Sequence, residues 1–200
     1  MISRSPFHRR RLPAFARAAD GATAVEFALV AFPFFLLIFA ILEIAMVFMI
    51  STTLESSMSR AARTIRTGEL QTGNAARSTP RTPSQLAGDF KARICGGLGW
   101  LQGSCATNLA VDVRTFTQFN SVNSSDPIST TTDASGRTVR TFNNGALTFT
   151  PGGPQDIVLV RAFYRYQVLT PLMNPGLVEL SGGQNLITTS TVFRNEPYDQ

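Results

Sequence analysis

A long apolar run from Phe27 to Ile50 constrains this chain more than any other feature. Its 24 residues are apolar apart from Pro33 and Glu43. A helix rises about 1.5 Å per residue, so the run would form a helix of roughly 36 Å, enough to cross a hydrocarbon core of about 30 Å. Sixteen of its residues are Phe, Leu, Ile or Val. Each favours insertion by ~0.3–0.6 kcal/mol, which together outweighs a cost of about 3 kcal/mol for one charge. The run therefore predicts a transmembrane helix.

The segment before this run, residues 1–21, is strongly basic. It holds five of the chain's 18 basic residues and one of its 13 acidic residues, and so carries +4 of the formal net charge of +5. The basic character belongs to this leader and does not indicate a nucleic-acid-binding domain. Arginines beside an apolar span hold the N-terminus in the cytoplasm. An ordinary secretory signal is the alternative, but its apolar region is only about 7–15 residues long and ends at an Ala-x-Ala-like site, which residues 51–54 match poorly.

The border between leader and apolar run, Gly21–Phe27, reads Gly-Ala-Thr-Ala-Val-Glu-Phe. A carboxylate at the start of a membrane helix raises the free energy of insertion and usually has a function. Glu26 could simply favour a helix N-terminus, a gain of about 0.3–1 kcal/mol, but that does not explain its spacing from the glycine. The arrangement resembles the type IV prepilin signal, which a peptidase on the cytoplasmic face cuts after the glycine. This resemblance makes Ala22 the first mature residue and Glu26 the fifth.

The helical pattern continues beyond the membrane. Apolar residues recur at helical spacing to about Thr67, with charged residues elsewhere on the turn. We expect one helix over residues 22–67, with a kink at Pro33, whose second half lays an apolar stripe on a soluble domain. Residues 68–81 are polar and are expected to be a linker.

Residues 82–200 predict a small α+β domain with a mostly antiparallel sheet packed on a short helix. Thr82-Pro83-Ser84-Gln85 has the form of a capping box, and Gly96-Gly97 supplies the stop. Alternating apolar residues predict strands at 109–116, 156–169 and 186–193. Asn144-Gly145 predicts a hairpin turn between 138–142 and 146–150, and residues 119–137 are expected to be a mobile excursion.

Cys95 and Cys105 are the only cysteines. A bond between them would tie the predicted helix to the first strand across a glycine-rich loop, and an extracytoplasmic domain favours its oxidation. Two free buried thiols are the alternative. A metal site is disfavoured, because two thiols without histidine fall short of a tetrahedral set.

The residues offer no catalytic constellation. The sole histidine, His8, lies in the leader, which excludes Ser-His-Asp and Cys-His nucleophilic arrangements in the processed chain. The acidic residues are scattered, and no Gly-rich phosphate loop follows a strand. We therefore expect no enzymatic activity and no cofactor. Glu43 has two open interpretations: it snorkels toward the outer interface, or it makes a polar contact within a helix bundle.

The chain is similar to the TadE-like family, minor pilins or pseudopilins of the Tad tight-adherence system. The similarity rests on Gly21–Phe27, on the Phe- and Leu-rich span with Pro33 and Ile-Leu-Glu43, and more weakly on residues 111–116 and 191–198. It implies processing by a prepilin peptidase, residence in the bacterial inner membrane with the C-terminal domain in the periplasm, and assembly of an adhesive pilus.

The same resemblance gives partners and roles. The partners are the prepilin peptidase, other pilins and pseudopilins, the assembly platform and the membrane, with no nucleic acid. Assembly falls to Glu26 and Phe27, since in type IV pilins this glutamate pairs with the N-terminal amine of a neighbouring subunit. The resemblance also allows this protein to be incorporated into the pilus as a subunit. The alternative is a single-pass membrane protein whose periplasmic domain binds a ligand or partner, and cleavage at Gly21 separates the two.

Overall fold

The computed structural model describes residues 19–76 and 78–199, so most of the leader lies outside the described residues. A long N-terminal helix is followed by a small domain of short helices and antiparallel strands, which confirms the predicted α+β fold. The helices are α1 (Ala19–Arg66), α2 (Glu69–Ala75), α3 (Pro83–Gly96) and α4 (Gln102–Asn108), and the strands are β1 (Leu109–Phe116), β2 (Ile128–Thr132), β3 (Thr138–Phe142), β4 (Ile157–Gln167) and β5 (Gln184–Arg194).

Helix α1 is one continuous helix of 48 residues that runs through Pro33. The side chains of its first half are mostly exposed, whereas Leu54, Met58 and Ile65 in its second half are fully buried. This division follows the sequence, because the second half is amphipathic and has one apolar stripe to bury. The first half of α1 is thus an exposed apolar helix, and the second half is part of the domain core.

The core lies between α1, α3 and a three-stranded antiparallel sheet in the order β1-β4-β5. Alternate residues of the central strand β4, Val158, Val160 and Ala162, face the helices and are fully buried. Burying a valine side chain contributes roughly 1.5 kcal/mol or more. The opposite face of β4 carries Phe163, which packs with Leu186 and with residues of the β2–β3 hairpin.

Helix α3 begins where the capping box predicts. The side-chain oxygen of Thr82 accepts a bond from the backbone N–H of Gln85, and the Gln85 side chain accepts one from the backbone of Thr82 at 2.9 Å. These two bonds satisfy N–H groups that a helix start leaves unpaired. The helix buries Phe90 and Ile94 completely, and their spacing of four residues places both on one face.

The hairpin prediction for residues 138–150 is wrong. Strand β3 pairs antiparallel with the strand that precedes it, β2, and not with residues 146–150. The tight turn therefore lies between β2 and β3. Asp133 accepts bonds from the backbone N–H groups of Ser135 and Arg137, both at 2.9 Å, and Gly136 supplies the positive φ of 80°. Residues 119–137, expected to be a mobile excursion, therefore contain β2 and this turn. Asn144-Gly145 forms a short 3-10 turn instead.

The segment expected to be a linker, residues 68–81, contains α2. Leu70 of this helix is buried in the main core. Gly68, just before α2, has a φ of 76° and lies against the ring of Tyr198, so a side chain there would both strain the backbone and clash. The chain thus makes a tight, packed turn after α1.

Candidate functional site

The residues of the predicted processing and assembly motif lie in the first turns of α1. Ala22 and Glu26 are four residues apart, so they lie on one helix face about 6 Å apart along the axis, and both are exposed. Phe27 follows and is 71% exposed. The Glu26 carboxylate and the Phe27 ring therefore both point outward from the helix, where another molecule can contact them.

Gly21 has no packing role in the described part of the chain. A Cβ built on it would meet no heavy atom within 4 Å. Glycine inside a helix is less favourable than alanine by about 1 kcal/mol, so it lowers helix stability here without improving a contact. This favours an explanation outside the fold, such as recognition by another protein.

The apolar half of α1 is suited to lipid. Among the described residues, one helix is long and apolar enough to span a membrane, and it is α1. Its large apolar side chains are exposed on all sides near the N-terminus, for example Leu29, Val30 and Phe32 at 70% each. Such a surface is unfavourable in water and requires lipid or other apolar helices around it.

Glu43 is the point at which the domain contacts the apolar half of α1. Its carboxylate is 4% exposed and accepts bonds from the backbone N–H groups of Leu169 and Thr170 and from the Thr170 hydroxyl. The Asn174 amide lies 3.4 Å from the same carboxylate. These donors belong to the loop between β4 and β5, residues 168–183. Neither open interpretation of Glu43 anticipated this partner: the charge is satisfied by the chain's own domain.

Tyr166 lies beside this carboxylate at the end of β4. Burial raises the pKa of its hydroxyl, and the negative charge of Glu43 raises it further, since both disfavour the phenolate. Its hydroxyl is buried and has no hydrogen-bond partner within the described chain. The Glu43 carboxylate and the Tyr166 hydroxyl are therefore both shielded from water at the junction between α1 and the domain.

A second buried charge cluster lies on the outer face of the sheet. The Asp112 carboxylate is completely buried and accepts bonds from Arg161 Nη2 at 2.6 Å, Arg114 Nε at 3.0 Å and the Thr148 backbone N–H at 2.8 Å. Arg161 also donates to the Ser125 carbonyl at 2.7 Å. The cluster thus fastens two surface segments to the sheet, which gives residues 111–116 a structural role.

The C-terminal segment, residues 191–198, closes the domain at the far end of α1. The backbone N–H of Glu196 donates to the Arg66 carbonyl at 2.8 Å, satisfying a group at the helix C-terminus. Asn195 is 2% exposed and donates to the carbonyls of Pro151 and Gly153 at 3.1 and 2.9 Å. These bonds fasten the end of the segment to the C-terminus of α1 and to residues 151–153.

The structure bonds Cys95 to Cys105, the pair that the sequence predicts, with Cα atoms 5.6 Å apart. The bond joins the end of α3 to α4, because residues 99–108 are helical and not the glycine-rich loop expected. Both half-cystines are buried. No group of three or more His, Cys, Asp or Glu side chains in the described ranges is arranged to hold a metal ion.

Loss of the disulfide is expected to lower the free energy of unfolding by about 2–3 kcal/mol, because the bond closes a ten-residue separation. Denaturant unfolding with and without reductant measures this, and the variant with both Cys95→Ser and Cys105→Ser is the control that reductant should not affect. Mass spectrometry of unreduced protein should find the linked peptides. Free thiols, or curves that coincide with and without reductant, would contradict the assignment.

The family comparison bears on the N-terminal half of this arrangement. The model of the family described as TadE-like protein matches residues 21–63. This segment is TadE-like. No curated protein and no solved structure matches the chain. The match confirms the resemblance predicted from Gly21–Phe27 and supports a pilus-associated protein of the Tad system in general terms.

The TadE-like segment contains Gly21, Ala22, Glu26, Phe27 and Glu43, but it ends within α1. The loop that binds Glu43 lies outside it, and sequence reasoning missed that loop. A signal was present: residues 168–178, between two strands, carry no charge and are rich in Leu, Met and Val. The TadE-like segment therefore supplies the exposed motif, and the domain supplies the partner for its internal carboxylate.

Proposed function

We propose that this protein is a minor pilin or pseudopilin that takes part in assembling a Tad-type adhesive pilus. The observation that carries the proposal is the TadE-like match, which begins at Gly21 and so contains the glycine and glutamate at prepilin spacing. The exposure of Ala22, Glu26 and Phe27 at the start of a 48-residue helix supports it.

Processing is the first step of the proposed mechanism. A prepilin peptidase cuts after Gly21 on the cytoplasmic face and leaves Ala22 with a free amine. The protein then resides in the inner membrane as a single-pass protein, with its N-terminus cytoplasmic and its domain periplasmic. A disulfide in the domain agrees with an oxidising compartment.

Assembly is the second step. Glu26 of one subunit pairs with the Ala22 amine of a neighbouring pilin or pseudopilin, because two opposite charges in an apolar environment gain from pairing and are costly apart. When the assembly platform withdraws the subunit from lipid, neighbouring helices pack against Phe27 and the exposed apolar residues that follow it.

Replacement of Gly21 tests this proposal. Gly21→Leu is expected to block cleavage, because a bulky side chain replaces the glycine at the cut, and so to leave a precursor longer by 21 residues that supports no pili. Gel mobility or intact mass measures the processing. Gly88→Leu is the matched control, since Gly88 is also a helical glycine with no heavy atom within 4 Å of a built Cβ.

Normal processing of Gly21→Leu would contradict the proposal, because the cut would then not depend on this glycine. A wild-type chain that is never cut would also contradict it, and would favour the alternative, a single-pass membrane protein that binds a ligand or partner through its domain. Unchanged processing in Gly88→Leu is required for the comparison to hold.

A further inference from the structure

The β4–β5 loop exposes large apolar side chains on the domain. Leu169 is 74% exposed, Leu172 94% and Met173 41%. A single exposed leucine is ordinary, but three such side chains within five residues form an apolar patch. Residues 168–178 carry no charge that would favour water over lipid.

Glu43 fixes the position of this loop along α1. The backbone N–H of Thr170 donates to the Glu43 carboxylate at 2.9 Å, and the Asn174 amide donates to the Ala40 carbonyl at 3.4 Å. The apolar patch therefore lies beside residues 40–43 of the helix. It cannot move away from the helix without leaving the Glu43 carboxylate unpaired.

That level of the helix lies near the outer end of the predicted transmembrane run. Phe27 and Glu43 are 16 residues apart, about 24 Å along the axis, so a hydrocarbon core of about 30 Å that begins at Phe27 ends a little beyond Glu43. On the side of α1 facing away from the domain, exposed apolar residues continue to Phe48 and Met49, at 70% and 44%. The loop thus lies at the level of the membrane boundary or slightly below it.

We propose that the β4–β5 loop is a membrane anchor, in which Leu169, Leu172 and Met173 insert among phospholipid acyl chains on the side of the bilayer where the domain lies. The occupant is lipid because the patch is continuous with the lipid-facing surface of α1. The Glu43 bonds favour this insertion, since they satisfy the backbone N–H groups of Leu169 and Thr170, which would have no water partner in lipid. The inference does not depend on the pilus role.

Tryptophan placed on the loop tests the proposal in the full chain, reconstituted into phosphatidylethanolamine and phosphatidylglycerol vesicles. Trp100 is the only native tryptophan, so Trp100→Phe provides a silent background. In it, Leu172→Trp and Leu169→Trp report on the loop at two separate exposed positions. Circular dichroism of each variant confirms that the fold is kept.

Phe119→Trp is the matched control. Phe119 is 56% exposed and lies against Arg194, which pairs with Ile157 at the end of β4 opposite the loop. Ile157 and Gln167 are ten positions apart along β4, about 33 Å, so this probe lies far from the membrane.

With brominated acyl chains in the vesicles, Leu172→Trp and Leu169→Trp should lose at least half of their fluorescence and resist quenching by acrylamide. Phe119→Trp should show the reverse. Acrylamide access equal to that of Phe119→Trp, without lipid quenching, would overturn the proposal. A third result would also overturn the proposal: protection of the loop tryptophans from acrylamide that increases with the protein-to-lipid ratio, without quenching by brominated lipid. It would mean that the loop contacts a second copy of the chain.

Discussion

Glu26→Ala is expected to give protein that is cut after Gly21 and inserted in the membrane, yet supports no pili. Glu26 is exposed at the start of α1, so its removal breaks no packing within the described fold. Removing a charge also makes residence in the membrane easier. The variant loses the partner for the Ala22 amine of a neighbouring subunit. Without Glu26, that amine would be an uncompensated buried charge, which costs several kcal/mol.

Processing and piliation must be measured on the same cells, by intact mass of membrane protein and by electron microscopy. Glu55→Ala is the matched control, because Glu55 is an exposed carboxylate on the same helix beyond the apolar run. It should leave pili unchanged. Normal pili with Glu26→Ala, and none with Gly21→Leu, would mean that Glu26 is only a helix-end residue and that its assembly role is wrong.

Asp112→Ala should have the largest effect on stability, a loss of about 3–5 kcal/mol in the free energy of unfolding. The substitution leaves Arg161, which is 4% exposed, without its carboxylate in the sheet. It also removes the acceptor for Arg114 and for the Thr148 backbone. Denaturant unfolding of the full chain in detergent, followed through Trp100, measures the loss.

Glu196→Ala is the control for this prediction. Glu196 pairs with Arg66 at 3.3 Å, but both side chains are about half exposed. Such surface pairs are worth roughly 1 kcal/mol or less. A similar small loss in Asp112→Ala would show that the buried cluster is not a principal support of the domain.

Local patterns predicted the parts of the fold that local physics decides. The apolar run specified α1 and its continuation past Ile50, because helical periodicity is visible in adjacent turns. The Thr82 capping box specified the start of α3, and alternation specified β1 and β4. In each case the determining residues lie within a few positions of one another.

Contacts between distant residues were not predictable in this way. Glu43 is 126 residues from Leu169 in the chain, and Asp112 is 49 residues from Arg161. Nothing in the local sequence of either carboxylate indicates its partner. The hairpin was misplaced because Asn144-Gly145 and Asp133–Gly136 both suit a turn, and only strand pairing distinguishes them. The roles of Gly21, Ala22 and Glu26 stay predictions, since they concern other molecules.

N-terminal sequencing of the protein purified from bacterial membranes tests the central claim most directly. If the chain is a processed pilin-like subunit, the sequence begins at Ala22 with Ala-Thr-Ala-Val-Glu. A sequence that begins at Met1, or at a residue beyond Ile50, would contradict it.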